Sequence, residues 1–167
     1  ELKRGQSVYQ AGEQPRGLYL VQEGLVGLVL LGASSGKEHL IRFFTKGQFF
    51  GHRSLFSNEP YHGTATALES TRLLLFPKSA VERIFDNQPL VYREIVKVLS
   101  AELKQAEHLH IMVLEHQILS RTAQALVYLK ELQPDHAWTR QEIANFCGST
   151  VSTVIKAMGE LDRKSVV

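Results

Sequence analysis

Ten of the twelve glycines in this 167-residue chain lie at or before Gly63, and no other feature limits its fold as strongly. Gly5, Gly12, Gly24, Gly36 and Gly47 follow one another at steps of 7, 12, 12 and 11 residues. Short strands parted by glycine turns at such spacing build an all-β sandwich or barrel. The segments Leu18–Val21, Leu25–Leu31, Leu40–Phe44, Thr64–Leu68 and Arg72–Phe76 are short, apolar and rich in β-branched or aromatic residues, as strands require. What repeats is the turn and not the sequence, so a solenoid is not expected.

After Pro77 the pattern changes. Lys78–Phe85 reads as a short helix, and Pro89 stands at a permitted early position of another. Between Leu90 and Glu115 neither glycine nor proline occurs. There Tyr92, Val96, Leu99, Leu103, Ala106, His110 and Val113 follow at alternating steps of four and three. Arg93, Glu94, Lys97, Glu102, Lys104 and Glu107 stand off that line. A heptad seam of this kind belongs either to a core helix or to a dimer coiled coil. The dimer reading takes Val96, Leu99, Leu103, Ala106, His110 and Val113 as the interface, with His110 as a register-setting or pH-sensitive polar residue. Ile118–Leu132 is a further amphipathic helix, with Ile118, Ala125, Leu126 and Leu129 expected inside, and Gln133–His136 breaks it.

Thr139-Arg140-Gln141-Glu142 then forms a capping box. The helix it opens, Gln141–Phe146, ends at Cys147-Gly148, where glycine can take the left-handed conformation of a tight turn. Ser149 and Thr150 offer a second N-cap, and Val151, Val154, Ile155, Met158 and Leu161 supply the next apolar face. Ala144 is small where two crossing helices must approach. Short helix, glycine turn and longer helix are the outline of a helix-turn-helix, which a generic helix pair can share.

Composition removes several classes. An apolar content of 44% excludes wholesale disorder, and charges interrupt every apolar run before it could span a membrane. A net charge of +2 does not by itself select nucleic acid. The lone Cys147 rules out an internal disulfide or a four-cysteine cluster and fits a reducing cytoplasm. No signal peptide is legible, although the opening at Glu1 leaves a preceding segment open. No triad, P-loop or paired-carboxylate site is visible, so an enzyme is not expected.

The stretch TRQEIANFCGSTVSTVIKAMGEL resembles the DNA-binding helix-turn-helix of the Crp–Fnr family of bacterial transcription regulators. GQSVYQAGE, GLYLVQEGLVGLVLL, GKEHLIRFFTKGQFFG and TATALESTRLLLFPKSAVERIF resemble, in order, that family's cyclic-nucleotide-binding β-roll. The helix from Leu90 resembles its dimerisation helix. The resemblance implies an α+β fold: a jelly-roll-like sensor domain over 1–88, a dimerisation helix over 89–117 and a winged helix-turn-helix over 118–167. It implies a cytoplasmic homodimer whose partners are double-stranded DNA, a second copy and RNA polymerase, with no membrane. Carried onto this chain, Val151, Ser152 and Lys156 face base edges, while Thr139, Arg140, Gln141, Ser149 and Thr153 lie on or near phosphates. Gly51, His52, Arg53, Ser54, His62, Gly63 and Thr64 would line the effector pocket.

Two departures from the family stand out. Cyclic-AMP-binding members carry a Gly-Glu pair and, a short stretch later, an Arg-Ser pair, where this chain has Gly51-His52 and His62-Gly63. A neutral imidazole replaces neither the acceptor-only carboxylate on a ribose nor the arginine fork on a phosphate. The usual cyclic nucleotide mode is therefore not expected, and the effector is unknown. Alternation along a strand would turn Arg53 away from the pocket, unless this stretch is a loop. On the recognition helix, Ser152 and Lys156 stand where many members have a glutamate and an arginine, so the usual half-site is not implied.

Smaller signals stay open. His52 and His62 could together hold a haem or a metal, against the plainer reading of surface or loop histidines. His39, Arg42 and Arg53 could meet an anionic effector, against solvated charge. His108 and His110 face different sides of one helix, so a zinc site is not expected, and Cys147 is read as a small buried residue. From Thr139 onward four basic residues face three acidic ones. That balance keeps an alternative: a small-molecule (cyclic nucleotide or haem) sensor module with weak or lost DNA binding. By the same resemblance the segment 133–137 is tighter than expected, and Ser165-Val166-Val167 ends the sequence short of the family's β-hairpin wing.

Overall fold

Strands form where the glycine spacing puts them, together with two that it does not announce. The computed structural model describes residues 1–164. In it β1 (Ser7–Tyr9), β2 (Gly17–Glu23), β3 (Val26–Leu31), β4 (Glu38–Phe44), β5 (Phe49–Phe50), β6 (Thr64–Ala67) and β7 (Arg72–Pro77) form two antiparallel sheets. One has the order β1-β6-β3-β4, the other β5-β2-β7. β1 and β5 lie outside the segments expected from sequence. They are too short for a periodic signal and exist because β6 and β2 hydrogen-bond them. β7 lies at a sheet edge, which tolerates Pro77, a residue with no N–H to give.

Alternation aims the core. Tyr9, Tyr19, Val21, Val26, Leu28, Phe44, Phe50, Tyr61 and Ala65 form one buried cluster drawn from both sheets. Thr71 is also buried, at an isolated antiparallel bridge to Leu2, and its hydroxyl is satisfied: Oγ1 donates to the Leu25 carbonyl (3.2 Å) and accepts from the Leu25 amide (3.3 Å). A short helix, α1 (His52–Ser57), and α2 (Lys78–Asn87) complete this part. α2 buries Val81 and Phe85, and the Phe85 ring meets Phe56 (5.0 Å) and Tyr92 (4.7 Å).

The chain has two compact units, residues 1–94 and Ile95 onward, and their boundary falls within the 26-residue helix α3 (Leu90–Glu115). No α3 residue is buried. Along the expected seam Val96 (60%), Leu103 (61%) and Val113 (48%) are exposed, as are Ala106 and His110, while Leu99 is half-buried. A core helix would have hidden these residues within the chain.

The second unit packs α4 (Ile118–Leu132), α5 (Arg140–Cys147) and α6 (Val151–Arg163) around Ala125, Leu129, Ile143, Ala144, Cys147, Val154, Ala157 and Leu161. Ile118 and Leu126 are only half-buried, contrary to expectation; the third inward position of α4 is Thr122, whose hydroxyl donates to the Ile118 carbonyl (2.7 Å) and so enters the core with its polar group paired. No helix among the described residues is long and apolar enough to cross a membrane.

Candidate nucleic-acid interface and sensor cavity

The entrance to α5 is built by Thr139 and Glu142. The Glu142 amide donates to Thr139 Oγ1 (3.1 Å), and the Thr139 amide donates to Glu142 Oε2 (2.8 Å), so two orphan N–H groups are satisfied reciprocally. His136, itself buried, brings Nε2 to 3.6 Å from the same carboxylate oxygen. Trp138 stands edge-on to the His136 ring and donates its indole N–H to the Leu129 carbonyl (3.0 Å), tying the loop to the end of α4. The short 133–138 connection is thus a fixed strap.

α5 runs one residue further at each end than expected, and Gly148 stops it at φ 63°, ψ 38°, the left-handed conformation. The Ser149 amide then closes on the Ala144 carbonyl (3.0 Å), and Ala144 is wholly buried at the turn between the two helices. Any larger side chain there would have to displace its packed neighbours. Cys147 is also fully buried; burial raises its thiol above the usual range, as suits a packing residue. Thr150 caps α6, its Oγ1 accepting from the Thr153 amide (3.3 Å) and sharing hydroxyl contacts with Ser152 (3.1 Å) and Thr153 (2.8 Å).

The residues expected at DNA therefore have different freedoms. Arg140, Ser152 and Lys156 are exposed, and Ser149, Val151 and Thr153 are half-exposed. Thr139 is spent on its cap, and Gln141 donates its amide to Asn145 Oδ1 (2.7 Å). One expectation fails. Ile155, placed on the buried face from its spacing, is 47% exposed, and Ala157 fills the core beside Val154 instead. On a 3.6-residue period Ile155 falls with Ser152, Lys156 and Gly159. Its signal was present in that period and was overruled by its apolar character. The end at Ser165, Val166 and Val167, expected to stop short of the family's wing, lies outside the described residues.

In the first unit, Gly51 ends β5 with φ 86° and ψ −8°, and the chain turns at once into α1. A Cβ at Gly51 would stand 3.2 Å from the Gly17 carbonyl oxygen and 3.3 Å from the Tyr19 ring. This turn corrects the reading of Arg53: it sits on a helix, not a strand, and it lines the cavity. That cavity measures about 20 Å³ and is bounded by Tyr9, Leu28, Phe44, Gly51, His52, Arg53, Ser54, Tyr61 and His62. Gly63 and Thr64 are not among its walls. Gly63 packs against β3, where a Cβ would come within 2.8 Å of the Val29 carbonyl oxygen, and Thr64 Oγ1 accepts from the Ala11 amide (3.2 Å).

Aromatic rings occupy most of this interior. Tyr9 stacks on Tyr61 with centroids 3.5 Å apart, Tyr19 on Phe50 at 5.2 Å and Phe44 on Phe50 at 4.9 Å. Burial raises the phenols of Tyr9 and Tyr19 and pushes that of Tyr61 up to about 12. His52 is buried; His62 lies at the rim, its pKa lowered first by burial and then by the Arg53 charge. Tyr9, Leu28, Phe44 and Tyr61 could not be found as walls by motif, because they come from separate segments. Among the described residues no group of three or more His, Cys, Asp or Glu side chains could hold a metal ion.

Known proteins share these features. Residues 1–88 match the cyclic nucleotide-binding domain and residues 137–167 the bacterial regulatory proteins of the crp family. The chain is 25% identical over 171 residues to a CRP-like cAMP-activated global transcriptional regulator of Mycobacterium tuberculosis, covering 96% of this chain and 75% of that one. It is 26% identical over 171 residues to the anaerobic regulatory protein of Bacillus subtilis, covering 96% and 71%. A transcriptional regulator of the CRP/FNR family from Thermus thermophilus superposes with a TM-score of 0.79 at 28% identity, covering 98% and 84%. The c-di-GMP responsive regulator CLP of Xanthomonas campestris shares the fold, with a TM-score of 0.85 at 17% identity and coverage of 98% and 86%. With a sensor domain matching more than half its length and a crp-type helix-turn-helix behind it, the chain belongs to the Crp–Fnr family of bacterial transcription regulators.

Proposed function

We propose that this chain is a homodimeric, sequence-specific DNA-binding regulator, not an enzyme, whose sensor cavity does not take cyclic nucleotides in the family's usual mode. The observation that carries the DNA-binding part is the capped α5–Gly148–α6 turn with Arg140, Ser152 and Lys156 exposed on it. α6 enters a major groove. Val151, Ser152 and Lys156 face base edges, while Arg140 and Ser149, with the backbone around Thr139, Gln141 and Thr153, approach phosphates. The exposed α3 residues Val96, Leu103 and Val113 supply the dimer seam with Leu99, Ala106 and His110, which sets two recognition helices on successive half-sites. RNA polymerase is the partner this arrangement would serve.

The cavity reading rests on size and chemistry. One ordered water needs about 10–15 Å³, so about 20 Å³ is far short of a nucleotide or a haem. The two positions that would hold ribose and phosphate are His52 and His62, and the stacked Tyr9 and Tyr61 of the core line the same cavity.

The experiment is selection of duplexes from a random pool by the full chain at low salt. Enrichment of a two-fold symmetric sequence is expected. No enrichment, with every duplex bound weakly and alike, would favour a sensor module that has lost DNA recognition.

A further inference from the structure

Ile155 is only partly covered where it stands, although it is a large apolar residue. α6 buries Val154, Ala157 and Leu161, yet Ile155 is 47% exposed on the face it shares with Ser152, Lys156 and Gly159. The Ser152 hydroxyl lies 3.1 Å from Thr150 Oγ1 on the first turn of the same face. One turn beyond Ile155, Gly159 carries no side chain, and a Cβ there would meet nothing within 4 Å. The branched apolar end of Ile155 is therefore unshielded on the face offered to DNA.

We propose that Ile155 is a specificity-determining residue that reads the 5-methyl group of a thymine in the major groove. The inference rests on the DNA-binding reading above. Thymine alone among the four bases carries a methyl on its major-groove edge, and an aliphatic side chain recognises it by excluding water rather than by hydrogen bonding. Lys156, the next residue on this face, supplies a point donor to a neighbouring acceptor. The result is a preference for thymine over cytosine at one position of each half-site.

The test uses the full chain and the duplex it enriches, with each thymine replaced in turn by deoxyuridine, which lacks only the methyl. For the wild type, one position per half-site should weaken binding about fourfold, the equivalent of about 0.8 kcal/mol for one methyl group. In Ile155→Ala that penalty should vanish while the other positions are unchanged. The thermal midpoint followed by Trp138 fluorescence should not move, because the side chain is already half in water. Equal tolerance of uracil at every position by the wild type, or an undiminished penalty in Ile155→Ala, overturns the inference while leaving DNA recognition intact. A clear loss of stability in Ile155→Ala would assign the residue to packing instead. Absence of any enriched duplex defeats the DNA-binding reading itself, and this inference with it.

Discussion

Replacing Ala144 by valine tests whether the approach of α5 to α6 sets the stability of the DNA-binding unit. Ala144 has no exposed surface, and its carbonyl accepts the Ser149 amide that closes the turn. Two added methyl groups find no space in such a site, and overpacking of this kind costs about 1–3 kcal/mol. The β-branch in a helix adds about half a kcal/mol. For a unit of this size the sum lowers the thermal midpoint by roughly 6–28 °C. Trp138 is the chain's single tryptophan and lies in the second unit with its indole bonded to Leu129, so its fluorescence reports that unit alone. Gly159→Ala is the contrast: a helical site with open space around the new Cβ, where alanine should add about 1 kcal/mol and raise the midpoint. An Ala144→Val midpoint equal to wild type, or a Gly159→Ala midpoint below it, would refute the packing argument.

Other expectations are independent of that one. Lys156→Ala should weaken binding to the enriched duplex far more than to random DNA, whereas Arg140→Ala should weaken both; equal losses for Lys156→Ala would remove it from base reading. Leu103→Glu puts a charge on an exposed apolar position of the proposed seam and should yield monomers in sedimentation, and a variant that stays dimeric would move the seam elsewhere. Calorimetry with micromolar cyclic AMP should show no saturable heat, and 1:1 binding lost in His62→Ala would restore the ordinary family mechanism. The buried tyrosines predict an alkaline weakness in the first unit. The folded phenols hold their protons above the usual phenol range, so the stability they confer is complete below about pH 10 and is lost as pH rises through their folded values. Urea midpoints read by near-ultraviolet circular dichroism should fall over that range and fall less in Tyr61→Phe; a flat profile would contradict the burial argument.

The parts of this fold that are legible in sequence are those where one local force decides. Gly148 in its left-handed turn and the Thr139–Glu142 box depend on residues within a few positions of each other, and both are found as read. The α3 stripe repeats often enough for its period to show. β1 and β5 are different: three and two residues long, they owe their extended state to partners dozens of residues away. Ile155 shows a second limit. Hydrophobic character argues for burial, but on a helix whose other face is presented outward the period decides, and an apolar residue can be kept there for contact with something outside the chain.

The cavity marks a third limit, since its walls come from β1, β3, β4, α1 and the segment before β6, and no motif joins Tyr9 to Tyr61. Yet the two departures from the family read in the sequence bear on how it closes. A carboxylate where His52 stands, with 3% of the residue exposed, would pay a desolvation cost of several kcal/mol unless a ligand or cation answered it. An arginine at His62 would likewise call for an anion or for water. Histidines can be neutral and make no such demand, so the tyrosines can stack over the space with little lost. On the proposed reading, the change of polar residues and the aromatic filling are one adjustment: without the charges that hold a nucleotide, the most favourable occupant of the cavity is the protein itself. It follows that restoring the pair alone, as His52→Glu with His62→Arg, should lower the stability of the first unit without creating a cyclic AMP site. Micromolar cyclic AMP binding by that double variant would show that charge, and not space, had closed the pocket.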